Sequence, residues 1–469
     1  MLSLTQTNLF AKITLPVVFS DNMVLQQQSS VAIWGKGNPS SVIHISCLWF
    51  TGGTKQHPII EYACITDKNG NWRTFIKTPK AGGPYTITIY DKDTLKINNV
   101  LIGEVWFCSG QSNMEMPMRG FKNQPVANSN EMLLEADNNQ LRLFDTRRNA
   151  SKMPADTLGG EWNMSNTEVA SEFSAVAYMY GSMLQKKLNV PVGIIVSSWG
   201  GTKIQTWMDA ESLADFPKDI NEYTTKIDTA KEKQKLPTTL FNGMIAPFAG
   251  YGIKGFIWYQ GETNRYDPAG YLKLLPKMVS SWRKLWQSKD SLPFYYVQIA
   301  PYGNKDTTKS VRGVREAQMK AMSIIPNSGM AITTDIGTEA FIHPPYKKEV
   351  SQRLLYWALA KTYGYKGILY SGPIYNSMFI NKNIATIKFD YAERGLSTYG
   401  NDLVNFEIAG EDKIFYQATA KIQSDGTVDV WSDKVPNPVA VRYAWKDYVK
   451  GELFNTSGLP ASSFRTDEW

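Results

Sequence analysis

Ser112 stands in Gly110-Gln111-Ser112-Asn113-Met114, directly after an apolar run, Val100–Cys108, that reads as a buried strand. A serine just past a strand end, behind a glycine that permits a tight turn, is where hydrolytic α/β folds expose a nucleophile. The segment is not Gly-x-Ser-x-Gly, and taken alone a Gly-Gln-Ser turn is equally good punctuation. A serine hydroxyl also needs a base. The chain has three histidines, His44, His57 and His343, and only His343 lies outside the β-rich N-terminal part. Three more groups stand after apolar runs: Trp199-Gly200-Gly201-Thr202, Gln260-Gly261-Glu262-Thr263-Asn264, and Asp335 eight residues before His343. A hydroxyl, glycine amides, a side-chain amide, a carboxylate and an imidazole are the parts that acyl transfer requires.

These groups meet only if the elements behind them form one sheet. Apolar strand-like runs recur at Leu101–Phe107, Val192–Ser197, Ile253–Tyr259, Phe294–Ile299 and Met330–Thr334. Helical periodicity lies between several of them. Phe173, Val176, Ala177, Tyr180, Met183 and Leu184 share one face, as do Tyr271, Leu274, Leu275, Met278, Trp282 and Leu285. Arg312–Met322 and Lys347–Thr362 are further helices. Continuous apolar strands alternating with helices predict a parallel sheet covered on both faces, with its site beyond the carboxyl ends of the strands.

The ends of the chain have another character. Residues 1–98 read as short strands between Gly, Pro and Ser, with an Asn69-Gly70 hairpin turn and period-two alternation in Tyr85–Tyr90, predicting a β-sandwich. Residues 371–469 return to β character and are expected to pack on the core. Residues 99–370 then form the α/β domain, in which the polar, poorly periodic 209–235 reads as an insertion or lid-like excursion.

The four blocks, in this order, resemble the SGNH-type esterases, and most closely the sialate O-acetylesterase family of carbohydrate esterases. Ile342-His343-Pro344 completes the set, and flanking segments such as Leu15–Met23, Phe406–Asp412 and Val441–Trp445 extend the resemblance over nearly the whole chain. The resemblance implies an SGNH-hydrolase-like core and a serine esterase that removes O-acetyl groups from sugars, sialic acids first and acetylated xylan or other glycans as the alternative. It implies Ser112 as nucleophile and His343 as base. The amides of Ser112, Gly200 or Gly201 and the side chain of Asn264 would form the oxyanion hole, and Gln111, Trp199, Gln260 and Glu262 would line the sugar pocket. The third member of the triad stays open. Relatives carry an Asp three or two residues before the histidine, where this chain has Ala340 and Phe341. Asp335 is the first candidate, Glu262 the second and Glu339 the third; a Ser–His dyad held by a backbone carbonyl is the other arrangement.

Bulk properties narrow the function further. The chain has 469 residues, 43% of them hydrophobic and 20% charged, which describes a soluble globular chain of more than one domain. No apolar stretch approaches the length of a membrane span, and the net charge of +7 is scattered rather than clustered as in a nucleic-acid groove. Three cysteines and three histidines without ligand spacing predict no metal site and no cofactor, while a Cys47–Cys64 disulfide stays open. The start lacks signal-peptide character, so the expectation is a mature periplasmic or secreted protein with its leader removed, a cytoplasmic one being the alternative. Oligomeric state is not legible. Two other functions compete: a two-carboxylate glycosidase using Glu262 with Asp335 or Glu104, and a non-catalytic sugar-binding protein. Neither gives Ser112, His343 and the glycine pair a role.

Overall fold

A computed structural model describes residues 12–49, 59–287, 292–303, 306 and 308–469. The first residues of the chain and His57 lie outside the described residues. Seven strands form the central sheet: β1 (Thr94–Gly110), β2 (Asn138–Thr146), β3 (Gly160–Ser165), β4 (Val192–Ser198), β5 (Gly255–Tyr259), β6 (Phe294–Val297) and β7 (Ser328–Ala331). Their spatial order is β7-β6-β5-β1-β4-β2-β3. All neighbours run parallel except β2 and β3, which pair antiparallel at one edge. The sheet is therefore mixed. β2 and β3 carry Asn, Gln, Arg and Glu among their apolar residues, as an edge hairpin does, so no continuous apolar run marks them.

Side chains alternate across the sheet into two apolar cores. On β1, Val105 and Phe107 enter one core and Trp106 and Cys108 the other; Phe256 and Trp258 divide from Ile257 and Tyr259 on β5 in the same way. Helices α1 (Ala175–Leu188), α2 (Pro268–Leu285), α3 (Val311–Ile324) and α4 (Lys347–Trp357) cover the two faces. Val176 and Leu184 of α1 join Val350 and Leu354 of α4 in the Trp106 core, while Leu275 and Trp282 of α2 join Val314 of α3 in the Phe107 core.

The flanking β-regions are built into this core. β1 is 17 residues long. Its first half pairs with Gly82–Tyr90 and with Val24–Gln26, and its second half is the middle strand of the parallel sheet. The pair Ser30–Lys36 and Asn71–Lys77 faces the sheet of Val42–Leu48, Ile59–Ile65 and Gly82–Tyr90, and their inward residues Ile33, Trp72, Ile45 and Ile87 belong to the Phe107 core. Cys47 and Cys64 are free: Cys47 stands opposite Ile60, and Cys64 opposite Ile43, roughly 13 Å apart along the ladder. After residue 371, two antiparallel four-stranded sheets enclose a separate apolar cluster around Phe406, Ile408, Val428 and Phe464. The excursion 209–235 contains a helix, Pro217–Lys226, and buries Leu213 in the main core. No helix among the described residues is long and apolar enough to cross a membrane, and no described group of His, Cys, Asp and Glu could hold a metal ion.

Candidate active site

The parallel strands deliver their ends to one edge. At Gly110 the backbone takes φ +147° and lies so close to β5 that a Cβ would sit 2.1 Å from the Tyr259 carbonyl oxygen. Only glycine fits there. The chain then turns at once: the Gln111 amide donates to Tyr259 O, and Ser112 opens a one-turn helix, Ser112–Glu115. The amide of a first helical residue has no partner within its own helix, so that of Ser112 is a ready donor beside its own hydroxyl. Gly200, at the end of β4, packs against this turn; a Cβ there would stand 3.2 Å from Ser112 Cβ.

His343 reaches the same point from the loop before α4. Its Nε2 lies 2.8 Å from Ser112 Oγ, and its Nδ1 lies 2.6 Å from Gln124 Oε1. With Oε1 accepting, the ring proton resides on Nδ1 and leaves Nε2 to accept from the serine, the tautomer a general base needs. The Phe121 ring meets the imidazole edge-on at 5.3 Å. Burial, with the Lys347 ammonium adding to it, pushes His343 down to about 4.

Asp335 does not orient the histidine. Both of its oxygens accept from Arg353 on α4, at 2.8 and 2.6 Å, so a guanidinium fork holds the carboxylate away from the ring. Glu339 is exposed, and the Glu262 carboxylate accepts from Asn113 instead. The group on Nδ1 is the side-chain amide of Gln124, which sequence reasoning missed. Gln124 sits in a tight turn closed by reciprocal backbone bonds with Phe121. A search among carboxylates passes over a neutral amide in such a loop; the signal that could have found it is Gly120, with φ +78°, marking a turn close behind the nucleophile.

The other predicted residues divide. Asn264 Oδ1 accepts from the Ile204 amide and from Gln260, and its Nδ2 donates to Gln205 Oε1, leaving one N–H over. The Gly200 amide donates to Glu115 Oε2 at 2.9 Å, and Arg148 holds the other oxygen of that carboxylate. Gly201 has φ +72° and open space about its Cα. Three residues expected in the sugar pocket are buried supports. Gln111 faces the amides of Gly261 and Thr263, Gln260 bonds Thr202 O and Asn264, and Glu262 lies beneath the nucleophile turn; each fills a gap between loops and turns away from solvent. Trp199 alone is half-exposed, with the Arg148 guanidinium 5.4 Å over its ring. A cavity of about 330 Å³ opens beside Glu115 and Phe121, edged by Arg119, Lys122 and Arg148. A larger one, about 870 Å³, sits at Trp34, Trp72 and Pro247 and is lined by none of these residues.

The family described as "Carbohydrate esterase, sialic acid-specific acetylesterase" matches residues 102–352, from the nucleophile strand into α4. The chain belongs to that family. A solved carbohydrate acetylesterase from Xanthomonas citri is 34% identical, with a TM-score of 0.86, over 98% of this chain and all of the other (100%). The sialate O-acetylesterases of Mus musculus and Homo sapiens are each 26% identical over 95% of this chain, covering 93% and 91% of their own lengths. The family's match ends inside α4, so the C-terminal sheets lie beyond it, whereas these whole-chain similarities include them.

Proposed function

We propose that this chain is a serine esterase that removes O-acetyl groups from sugars through an acyl-enzyme on Ser112. The observation that carries the reading is the aligned series Ser112 Oγ, His343 and Gln124 at 2.8 and 2.6 Å. Ser112 Oγ attacks the acetyl carbonyl while His343 Nε2 takes its proton. The oxyanion meets the Ser112 amide and the donors of the Gly200–Gly201 loop and Asn264. The Gly200 amide faces an anionic oxygen, that of Glu115, so this backbone donor is oriented toward negative charge. The imidazolium returns the proton to the leaving sugar alcohol, and a water activated by the same nitrogen hydrolyses the acetyl-serine. Gln124 fixes the tautomer but brings no negative charge, so the imidazolium is stabilised by a dipole rather than by an ion.

Sialic acids are the first substrate class. The family's description and the names of the curated relatives favour an acidic sugar. Acetate release from O-acetylated sialic acid, acetylated xylan and acetylated glucosides tests it, together with the mass of the protein after a serine-directed phosphonate. The expectation is one adduct on Ser112 and a preference for the sialic acid; turnover of xylan alone moves the substrate to neutral glycans. Export to the periplasm or the medium is part of the proposal. Fractionation of the native producer tests that, and a cytosolic pool alone contradicts it.

A further inference from the structure

Directly beneath the nucleophile turn lie three polar side chains that the reaction above does not use. Asn113 is fully buried, Lys347 is fully buried and Glu262 is 2% exposed. The Asn113 amide joins them: Oδ1 accepts from Lys347 Nζ, and Nδ2 donates both to a Glu262 carboxylate oxygen and to the backbone carbonyl of Ile342. One side chain adjacent to the nucleophile thus holds the residue just before His343, the first turn of α4 and the loop after β5. The second Glu262 oxygen is buried without a partner.

Such a network is a poor way to hold loops together. A buried ion pair and its amide are often matched or bettered in stability by apolar side chains of the same volume. Its position suits another task. The charged and titratable groups about it are His343, Arg265, the Tyr271 phenol and the Tyr259 phenol, over whose ring Lys347 lies at 5.5 Å; Glu115, on the nucleophile turn itself, reaches the Gly200 amide and is held by Arg148. On His343 the structure brings Ser112, Gln124 and Phe121 into contact, none of them charged.

We propose that Asn113, Lys347 and Glu262 form a buried positioning unit for the hydrolysis. The Asn113 amide clamps the nucleophile turn to the loop that carries His343, and Lys347, held by the same amide four residues after that histidine, adds a positive charge that disfavours a proton on the imidazole. The unit rests on the esterase reading of Ser112 and His343. Burial, partly offset by Glu262, brings Lys347 down to about 7, so it is charged throughout the acidic range in which His343 would otherwise take a proton. Burial is the larger influence on His343 and the lysine charge the smaller, so removing the charge shifts the histidine without restoring it fully. The consequence is an esterase whose base stays available well below the ordinary histidine range.

The test follows the histidine itself. With three histidines in the chain, the imidazole signals of protein labelled at histidine Cε1 are few, and that of His343 is assigned by its loss in His343→Asn. Wild type, Lys347→Met and Lys347→Gln are titrated, and the acid limb of kcat/KM on p-nitrophenyl acetate is recorded for each. Lys347→Gln removes the charge but keeps an N–H donor for Asn113, so it separates charge from clamp and stands in if Lys347→Met does not fold. The expected result is a wild-type His343 near 4 and a rise of at least about half a pH unit in either folded variant, with the acid limb moving by the same amount. Asn113→Ala is expected to lower kcat at least ~10-fold with KM little changed. A His343 signal and an acid limb that both stay in place in a folded Lys347 variant overturn the proposal, as does a wild-type His343 that titrates near 6.5. Because the ring is read directly, these outcomes are distinct from a failure of the esterase reading, which would appear as activity retained in Ser112→Ala.

Discussion

A neutral amide on the imidazole sets the histidine apart from a triad built on a carboxylate. A carboxylate orients the ring and stabilises the imidazolium electrostatically; Gln124 orients it through one hydrogen bond. Gln124→Ala is therefore expected to lower kcat at least ~10-fold while KM changes little, because little substrate binding is lost. Gln124→Glu places an anion on Nδ1, which favours the protonated ring, so the acid limb of kcat/KM moves upward from near pH 4. An acid limb that stays in place in Gln124→Glu removes Gln124 from the orienting role. Asp335→Asn should behave differently. It leaves Arg353 without its bidentate partner and lowers stability by about 2 kcal/mol, while kcat per folded molecule stays at the wild-type value. A large fall in kcat with unchanged stability would return Asp335 to the site.

Strand ends and turns carry the site, and the strain they accept shows where the geometry matters. Gly110→Ala puts a Cβ 2.1 Å from a strand carbonyl at φ +147°. The expected loss is about 3 kcal/mol, read by chemical denaturation, and activity falls further than the folded fraction because the nucleophile turn moves with the strand. Wild-type stability in that variant would show that β1 and β5 separate more easily than their packing implies. At this scale the sequence was most informative. Apolar runs marked β1 and β4 to β7, and the rule that sites lie beyond strand ends brought Ser112 and His343 together. It failed on residues whose role depends on which polar group a neighbour has already engaged. Gln111, Gln260 and Glu262 follow the same strand ends as the reactive groups and differ only in burial, which spacing does not encode. Asp335 has the right type and place, yet Arg353 on the next helix reaches it first. Gln124 belongs to no periodic element, and its turn reads as any other loop.

The flanking β-regions are joined to the core by polar contacts that act across the whole molecule. Fully buried Arg315 on α3 donates to the carbonyl oxygens of Ala444, Lys446 and Asp447, and Gln298 and Thr334 bond to Ser462 and Ala461. Arg315→Met leaves three carbonyls without that donor and is expected to lower stability by about 3 kcal/mol, with the C-terminal sheets loosening first in hydrogen exchange. Uniform exchange in that variant would mean that apolar packing alone holds the sheets. On the other flank, β1 runs unbroken from the N-terminal sheet into the parallel one, so limited proteolysis should not release residues 1–98 as a stable piece. The whole assembly places one hydroxyl against one imidazole. The most direct measurement is therefore acetate release from O-acetylated sialic acid by wild type and by folded Ser112→Ala at equal concentration. The expected result is turnover by the wild type and a loss on the order of 10⁶-fold in kcat for the variant. More than a trace of wild-type turnover in Ser112→Ala would contradict it.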